Sequence, residues 1–416
     1  MSGRISRRNL FRAAGALGAG AAVASGGPSD TGADPALQAP AGAGIEPNTL
    51  RRRGVGFRGH NPDRAARGYT LFAPLAAGKT VHLIDQLGSE VNTWQMPYPP
   101  GLYGYLTDRG TLFYGGKIPN DSFIGRSPFR GGAALEADWD GNVLWEIQKS
   151  DHHHDARLLK NGNVLLICAA ELPADIASKV RGGIPGSEPD GKMYADYLVE
   201  MTTAGETVWE WRAWEHLDPE QDEITMPSDS RAEWTHANGV IELPDGNILL
   251  SMRNISTLLR INRRSGEIEW KLGPPPLSGQ HGPVALPNGN VLIFDNGPYR
   301  VDQGAPQAPY SRVLEIDPTT NEIVWKYQEA SEAPGIRGSF FSALISNAQR
   351  LPNGNTFINE GLSGRFFEVT MGGDVVWEYV NPYFGPPTGE PRAQQNQVFR
   401  AYRYTEDEIA RAQATV

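Results

Sequence analysis

Histidines recur at matching positions in front of a repeated hairpin motif, a leucine followed within a few residues by Asn-Gly or Asp-Gly. The leucines of this motif are Leu159, Leu243, Leu286 and Leu351. Five residues before them stand His154, Asn238, His281 and Ser346, and seven before the first two stand His152 and His236. Side chains alternate along a strand, so positions five and seven share one face. We therefore predict that neighbouring strands direct one polar set toward a common surface: His152, His154, His236, Asn238 and His281.

Charged residues follow the same hairpins at the point where the next strand ends. Arg253 closes the triplet SMR at residues 251–253, and its counterparts in later repeats are Asp295 and Glu360. We expect Arg253 to place a fixed cation near His236, and the two carboxylates to orient imidazoles or collect protons. Titratable groups that perturb one another in one cleft are typical of an active site.

Two other interpretations of these residues remain open. The run HHH at residues 152–154 is also typical of a solvated loop, and a polar residue on a channel axis often binds only water. A metal-dependent hydrolase is the second alternative, with a ligand set drawn from His152, His154, His236, His281 and Asp295.

Six tryptophans, spaced about one propeller blade apart, reveal the elements that would position this set. They are Trp94, Trp145, Trp209, Trp270, Trp325 and Trp377, and five of them end a shared phrase: GNVLW, GETVW, GEIEW, NEIVW and GDVVW. Such a period, filled with short alternating strands, indicates radial β-repetition. We predict an all-β fold, a six-bladed β-propeller with four-stranded blades at residues 49–391.

In each predicted blade the strand before the Asn-Gly or Asp-Gly turn comes first and the tryptophan strand last. Those dipeptides supply the positive φ angles that tight hairpins need. Degenerate hairpins at residues 106–110 and near residues 77–78 would complete the six. If the first strand is innermost, the shared polar surface is the central channel.

The two ends of the chain differ from the repeats. Residues 6–12 read SRRNLFR, a twin-arginine pattern, and a short Ala/Gly-rich apolar stretch and AVA at residues 22–24 follow it. We expect a signal peptide at residues 1–24, a flexible linker at residues 25–48 and a C-terminal tail at residues 392–416 with a short capped helix. The expected partner is the twin-arginine export machinery. The expected location is the periplasm or the extracellular space, with no stable membrane insertion after cleavage.

Composition narrows the classes of partner. The 416 residues carry a formal charge of −10, which argues against nucleic acid, where a basic footprint would be expected. The single cysteine, Cys168, excludes an intrachain disulfide and lies in the apolar run VLLIC, which favours a small buried hydrophobe.

Three motifs carry a family resemblance: WTHAN at residues 234–238, SMR at 251–253 and GQHG at 279–282. Their order and blade placement resemble the aryl-sulfate sulfotransferase family, exported nucleotide-independent enzymes. The resemblance implies a six-bladed propeller that moves a sulfuryl group from a phenolic sulfate donor to a phenol acceptor through a sulfated histidine, with no cofactor and no metal.

The resemblance also implies roles for single residues. His281 matches the nucleophile, His236, Asn238 and Arg253 match sulfate-binding partners, and the remaining channel histidine matches His154 better than His152. The predicted catalytic set is therefore His281, His236, Arg253 and His154. The predicted substrate-binding set is Asn238, His152, Asp295 and Glu360.

Exported propellers also serve other functions. A quinone-cofactor dehydrogenase and a non-catalytic propeller that binds a protein or glycan partner both fit the repeat pattern. The second of these leaves the axial histidine and arginine set unexplained.

Overall fold

The structure, a computed structural model, describes residues 54–302, 305–306, 309–329, 340–386 and 392–414. Six antiparallel sheets surround one axis, each with four strands, and a fifth strand extends the last sheet. The predicted six-bladed β-propeller with four-stranded blades is confirmed. The predicted signal peptide and linker, residues 1–48, lie outside the described residues. Within the described part of the chain, no helix has the length and apolar character needed to cross a membrane.

The first three blades each run from an innermost to an outermost strand. Blade 1 consists of β27 (Val398–Tyr404), β2 (Tyr69–Pro74), β3 (Thr80–Ile84) and β4 (Glu90–Gln95). Blade 2 consists of β5 (Pro100–Leu106), β6 (Leu112–Lys117), β7 (Gly132–Ala137) and β8 (Val143–Gln148). Blade 3 consists of β9 (His152–Leu158), β10 (Val164–Glu171), β11 (Tyr194–Met201) and β12 (Thr207–Arg212).

The last three blades follow the same plan. Blade 4 consists of β13 (Ala237–Glu242), β14 (Ile248–Met252), β15 (Thr257–Ile261) and β16 (Ile268–Leu272). Blade 5 consists of β17 (His281–Ala285), β18 (Val291–Asp295), β21 (Arg312–Asp317) and β22 (Glu322–Tyr327). Blade 6 consists of β23 (Asn347–Arg350), β24 (Thr356–Glu360), β25 (Arg365–Val369), β26 (Val375–Val380) and, outermost, β1 (Gly56–His60).

Short elements lie in the connections between strands. They are the strand pair β19 (Val301–Asp302) and β20 (Ala305–Pro306), helix α1 (Ala174–Ala177), helix α2 (Glu406–Gln413) and the 3₁₀ turns Ile124–Arg126, Pro189–Gly191, Ala213–Glu215 and Gly361–Ser363. Thr405 and Glu408 form a capping box at the start of α2, which is the short capped helix that the sequence predicts.

Both ends of the described chain close the ring, and this corrects two predictions. The predicted C-terminal tail, residues 392–416, contains Val398–Tyr404. This segment is the innermost strand of blade 1 and pairs with Tyr69–Pro74. The hairpin expected near residues 77–78 therefore connects the second and third strands of its blade. The reason is physical: without this strand blade 1 would lack its innermost member, and the first strands of blades 2 and 6 would lose the neighbour that both of them contact.

The tryptophans occupy the fourth strand of each blade, as the sequence predicts. Four of them donate their indole N–H to the neighbouring blade: Trp94 to Asp138 O, Trp270 to Asn321 Oδ1, Trp325 to Met371 O and Trp377 to Gln86 O. In blade 3 the nearby Trp211 makes this contact, to Gly266 O. These bonds join neighbouring blades, while the first strands contact one another all around the axis.

Candidate active site

A pocket of about 340 Å³ lies on the axis, at the end of the propeller where the innermost strands begin. All six blades contribute to its wall. The apolar members are Leu75, Leu102, Pro128, Phe129, Leu344, Ile345 and Phe399, and the polar members are His154, His236, Arg253, His281 and Gln397. A mainly apolar cavity with a few convergent polar groups is the usual form of a small-molecule site.

Backbone irregularities at the start of the innermost strands aim these side chains into the pocket. Extra residues interrupt the pairing of the first two strands in blades 2, 3, 4 and 5. Four pocket residues other than glycine have positive φ, namely Leu102, His154, His236 and Ile345. Such conformations cost free energy, persist only where the surrounding structure enforces them, and cluster at functional sites.

His281 is the most completely oriented imidazole. Its Nδ1 lies 2.8 Å from Asn296 Oδ1, and the amide nitrogen of Asn296 donates to the carbonyls of Ser342 and Ile345. Since both amide protons are used, Oδ1 faces the ring and accepts a hydrogen bond from the Nδ1 N–H. The backbone N–H of Ile345 donates to Nε2 at 3.2 Å. Both bonds place the proton on Nδ1 and the lone pair on Nε2.

Burial and charge keep His281 neutral. The ring is 2% exposed, and burial lowers the pKa of His281 well below its ordinary 6.5, with a further lowering from the Arg253 guanidinium. A neutral imidazole with an unprotonated Nε2 is an available nucleophile near neutral pH.

His154 is held through its neighbour in the chain. Its Nδ1 lies 2.6 Å from His153 Nδ1, and His153 Nε2 lies 2.9 Å from Asp196 Oδ1. Burial, followed by the charges of His236 and His153, lowers the pKa of His154 well below 6.5. Nε2 of His154 makes no hydrogen bond within the described residues, and the ring stacks on Phe129 at 4.8 Å between centroids.

His236 and Arg253 complete the polar group. Nδ1 of His236 lies 3.0 Å from a Glu233 carboxylate oxygen, and its ring centroid lies 4.6 Å from that of His154. Arg253 donates from one terminal nitrogen to Asp229 Oδ2 at 2.8 Å. Its Nε is buried and has no hydrogen-bond partner in the described part of the chain. The guanidinium as a whole is part of the pocket wall and supplies its fixed positive charge.

Two residues predicted on the same strand faces do not line the pocket. His152 packs under the loop at Gly131, where its Nδ1 donates to Ile167 O at 2.9 Å, and burial lowers its pKa to about 4. Asn238 donates to Gln280 O at 2.7 Å and so holds the backbone beside His281. The alternation rule does not apply here, because the bulges break the period of two.

The two carboxylates predicted to serve the site bind arginines outside it. Asp295 accepts hydrogen bonds from Ser278 N and Arg312, and lies 2.9 Å from an Arg300 nitrogen. Glu360 accepts from Phe341 N and from Arg365. The group that orients His281 is instead Asn296, the residue after Asp295.

The metal-ligand alternative is not supported by the arrangement of these side chains. His152 and Asp295 lie apart from the pocket histidines, and the described residues contain no cluster of three or more His, Cys, Asp or Glu side chains suited to a metal ion.

Several site residues carry no clear sequence signal. Phe129 lies on a loop without a counterpart in other repeats, and Phe399 belongs to the strand assigned to the tail. Glu233 immediately precedes WTHAN, and Asn296 immediately follows Asp295. These two positions in the sequence are the features that could have predicted their place in the site.

Together these features define a class: β-propellers whose axial pocket presents three oriented imidazoles and a guanidinium. The chain belongs to the arylsulfotransferase family, since the sequence model described as Arylsulfotransferase (ASST) matches residues 133–278 and 276–399, more than half of the chain. The family supports aryl sulfotransfer as the general reaction, between a phenolic sulfate donor and a phenol acceptor. No curated protein matches the sequence.

Three solved structures that resemble the chain do so weakly. A protein of unknown function from Bacteroides caccae is 13% identical, with 82% of this chain and 100% of that one covered and a TM-score of 0.49. A streptogramin B lyase is 12% identical over 78% and 82%, with a TM-score of 0.43. Virginiamycin B lyase from Staphylococcus aureus is 12% identical over 80% and 86%, with a TM-score of 0.42. Similarities at this level carry no argument about the pocket.

Proposed function

We propose that the protein transfers a sulfuryl group from an aryl sulfate to a phenol in two steps, through a sulfated His281. One observation carries the proposal: three imidazoles have Nδ1 fixed by protein groups while an apolar cavity of aromatic size surrounds them. Fixing Nδ1 directs Nε2 of each ring to the substrate, and at His281 this atom is held by the Ile345 N–H alone.

In the first step the lone pair on His281 Nε2 attacks the sulfur of the donor. The bond between sulfur and the aryl oxygen breaks, and its electron pair leaves with the phenolate. Before this attack the Ile345 N–H must release Nε2, to which it donates in the structure. The proton stays on Nδ1, and its hydrogen bond to Asn296 Oδ1 stabilises the positive charge that develops on the ring.

The other polar groups stabilise charge during the transfer. Negative charge spreads over the sulfuryl oxygens, as it does in phosphoryl transfer, so donors placed in advance supply most of the catalysis. The guanidinium of Arg253, which lines the pocket, places its charge beside these oxygens. His154 adds its Nε2, which can donate when His153 carries the proton shared between the two Nδ1 atoms.

His236 is the proton donor to the leaving phenolate. The Glu233 carboxylate beside its Nδ1 stabilises the charge that the imidazole has when protonated. In the second step the acceptor phenol gives its proton to His236 and attacks the sulfur. The sulfur–nitrogen bond then breaks, and its electron pair returns to His281 Nε2.

The experiment is release of nitrophenol from 4-nitrophenyl sulfate, with and without phenol. We expect release that depends on phenol in the wild type and is lost in His281→Ala. His216→Ala is the matched control, because this histidine stacks on Trp211 outside the pocket. Full phenol-dependent release by His281→Ala would overturn the proposal, and release indifferent to phenol would indicate hydrolysis.

We propose in addition that the chain is exported through the twin-arginine pathway to the periplasm or beyond. The support is the sequence SRRNLFR at residues 6–12 with the short apolar stretch after it. Cell fractionation of the wild type and of a variant carrying Arg7→Lys and Arg8→Lys tests this. Equal export of both proteins would contradict it.

A further inference from the structure

An ion pair crosses the central channel next to the pocket. Arg400 on β27 donates from one terminal nitrogen to Asp155 Oδ2 at 2.8 Å and from the other to the Asn238 carbonyl at 2.8 Å. Asp155 belongs to blade 3 and Asn238 to blade 4, while Arg400 belongs to blade 1. In a ring of six, blades 1 and 4 are opposite each other. The guanidinium therefore spans the axis.

Aromatic side chains pack against the two sides of this bridge. The guanidinium carbon of Arg400 lies 4.6 Å from the centre of the Tyr103 ring and 5.1 Å from that of Phe399, which lines the pocket. The hydroxyl of Tyr103 also donates to Asp155. Asp155 is 0% exposed and Arg400 1% exposed, so this buried pair occupies the channel beside the pocket wall, as its floor.

The neighbouring backbone is shaped to admit the bridge. A Cβ on Gly239 would lie 2.9 Å from an Arg400 nitrogen and 2.6 Å from Pro283, so only glycine leaves room for the guanidinium here. Anchors of the bridge also lie one or two residues from pocket side chains: Asp155 follows His154, and Asn238 follows His236 by two.

Fold stability alone is a weak reason for such a pair. Desolvation of two buried charges offsets much of their attraction, and well-packed apolar residues often replace buried ion pairs without loss of stability. The pair is nevertheless ionised: burial raises the pKa of Asp155, but the Arg400 and Arg157 guanidiniums outweigh it and hold that pKa below its ordinary value.

We propose that the bridge between Asp155 and Arg400 is a positioning element that closes the channel beside the pocket and so favours transfer to phenol over hydrolysis. The inference rests on the proposed function. Water that attacked the sulfur of sulfated His281 would break the sulfur–nitrogen bond, return the electron pair to Nε2 and release inorganic sulfate and a proton. With the floor closed, water in the channel does not reach the sulfur, and the phenol fills the open side of the pocket.

The test compares two products, inorganic sulfate and phenyl sulfate, made from 4-nitrophenyl sulfate with phenol as acceptor. The variant Asp155→Asn with Arg400→Met removes one charge of each sign and so keeps the net charge, while Arg157, 3.6 Å from Asp155, keeps its hydrogen bonds to Val240 O and the Tyr402 hydroxyl. We expect its ratio of inorganic sulfate to phenyl sulfate to rise about tenfold or more above that of the wild type. A ratio that stays at the wild-type value while both rates fall together would overturn the proposal, because a purely structural role slows both products equally.

A second buried pair, whose arginine lies on the same strand as Arg400, supplies the matched control. Arg403 lies 3.6 Å from Glu368, both are at most 3% exposed, and neither lines the pocket. Arg403→Met with Glu368→Gln is expected to leave the product ratio unchanged. An equal rise in this control would contradict the assignment to the channel floor.

Arg400→Lys is the variant to measure if the double variant does not fold. Lysine retains the charge opposite Asp155 but cannot bond both Asp155 and the Asn238 carbonyl in the planar fork of arginine. We expect a smaller rise in the same ratio, and an unchanged ratio would overturn the proposal. The ratio of the two products can be measured whether or not His281 becomes sulfated, so failure of the bridge and failure of the sulfated intermediate are distinguished.

Discussion

The charge of Arg253 and the burial of His281 have the same effect on the protonation of the His281 imidazole. Both disfavour the imidazolium, and the pKa of His281 is lowered well below 6.5. The nucleophile therefore stays neutral as the pH falls through 6.5. For the first step, release of nitrophenol, we expect the acid limb of the pH profile to have its midpoint below 6.5.

Removing Arg253 tests both of its roles at the residue scale. In Arg253→Met with Asp229→Asn, loss of the cation raises the pKa of His281, so the acid limb moves to higher pH. The rate at high pH falls by about 10²–10³-fold, since a preorganised donor to the sulfuryl oxygens is gone. Stopped-flow measurement of total nitrophenol release, in both of its protonation states, across the pH range gives both quantities.

Arg253→Lys is the control for charge. It is expected to keep the position of the acid limb and to lose rate, because lysine has no planar fork. An acid limb that stays in place in the Met variant would show that Arg253 does not influence His281.

At the scale of elements, bulges at the start of the innermost strands determine which side chains reach the pocket. The pattern of hairpin leucines predicts which strands supply histidines, and His154, His236, His281 and Arg253 do meet in the pocket. The alternation of side chains along a strand, with its period of two residues, cannot predict the bulges. These depend on how the strand pairs with the next one. For this reason the alternation rule predicts His152 and Asn238 on the pocket surface, where the structure does not place them.

Gly282 tests the bulge beside the nucleophile. Its φ is 62°, and a Cβ there would lie 2.8 Å from the Asn347 Cβ. Gly289 in the same blade has φ 88° and no atom within 4 Å of an added Cβ. The positive φ destabilises both alanine variants by about 1–2 kcal/mol. Only Gly282→Ala must also displace its neighbour and shift His281.

We therefore expect Gly289→Ala to lower the melting temperature with little change in sulfuryl transfer. Gly282→Ala should lower transfer by about tenfold or more beyond any change in the amount of folded protein. Thermal unfolding and transfer rates of both variants are the measurements. Equal activities at equal folded fractions would show that the bulge does not position the nucleophile.

At the scale of the whole molecule, the ring is closed by chain segments far apart in sequence. The tryptophan period predicts the number of blades, but the strand at Val398–Tyr404 lacks the repeat text that marks the others. Its place became evident only from its pairing with Tyr69–Pro74. Phe399 and Arg400, which reach the axis from this strand, were therefore missed from the sequence.

Buried neutral histidines make the fold sensitive to acid. His152 is 1% exposed, and burial lowers its pKa to about 4, whereas the unfolded chain binds the proton near 6.5. As the pH falls below 6.5 the unfolded state gains a proton that the folded state does not. His152 alone should then lower the free energy of unfolding by about 3 kcal/mol at pH 4.

Urea unfolding followed by tryptophan fluorescence from pH 7 to pH 4 measures this loss. In His152→Gln we expect a smaller fall in stability over the same range, whatever the stability of the variant at pH 7. Parallel curves for the two proteins would contradict a neutral buried His152.

The central claim is that His281 carries the sulfuryl group between donor and acceptor. The most direct measurement is mass spectrometry of the wild-type protein, mixed with 4-nitrophenyl sulfate in the absence of phenol and quenched at alkaline pH. The account predicts an added mass of one sulfuryl group on the peptide that contains His281, removed when phenol is supplied. Rapid phenol-dependent turnover with no such mass, or with the mass on another residue, would contradict it.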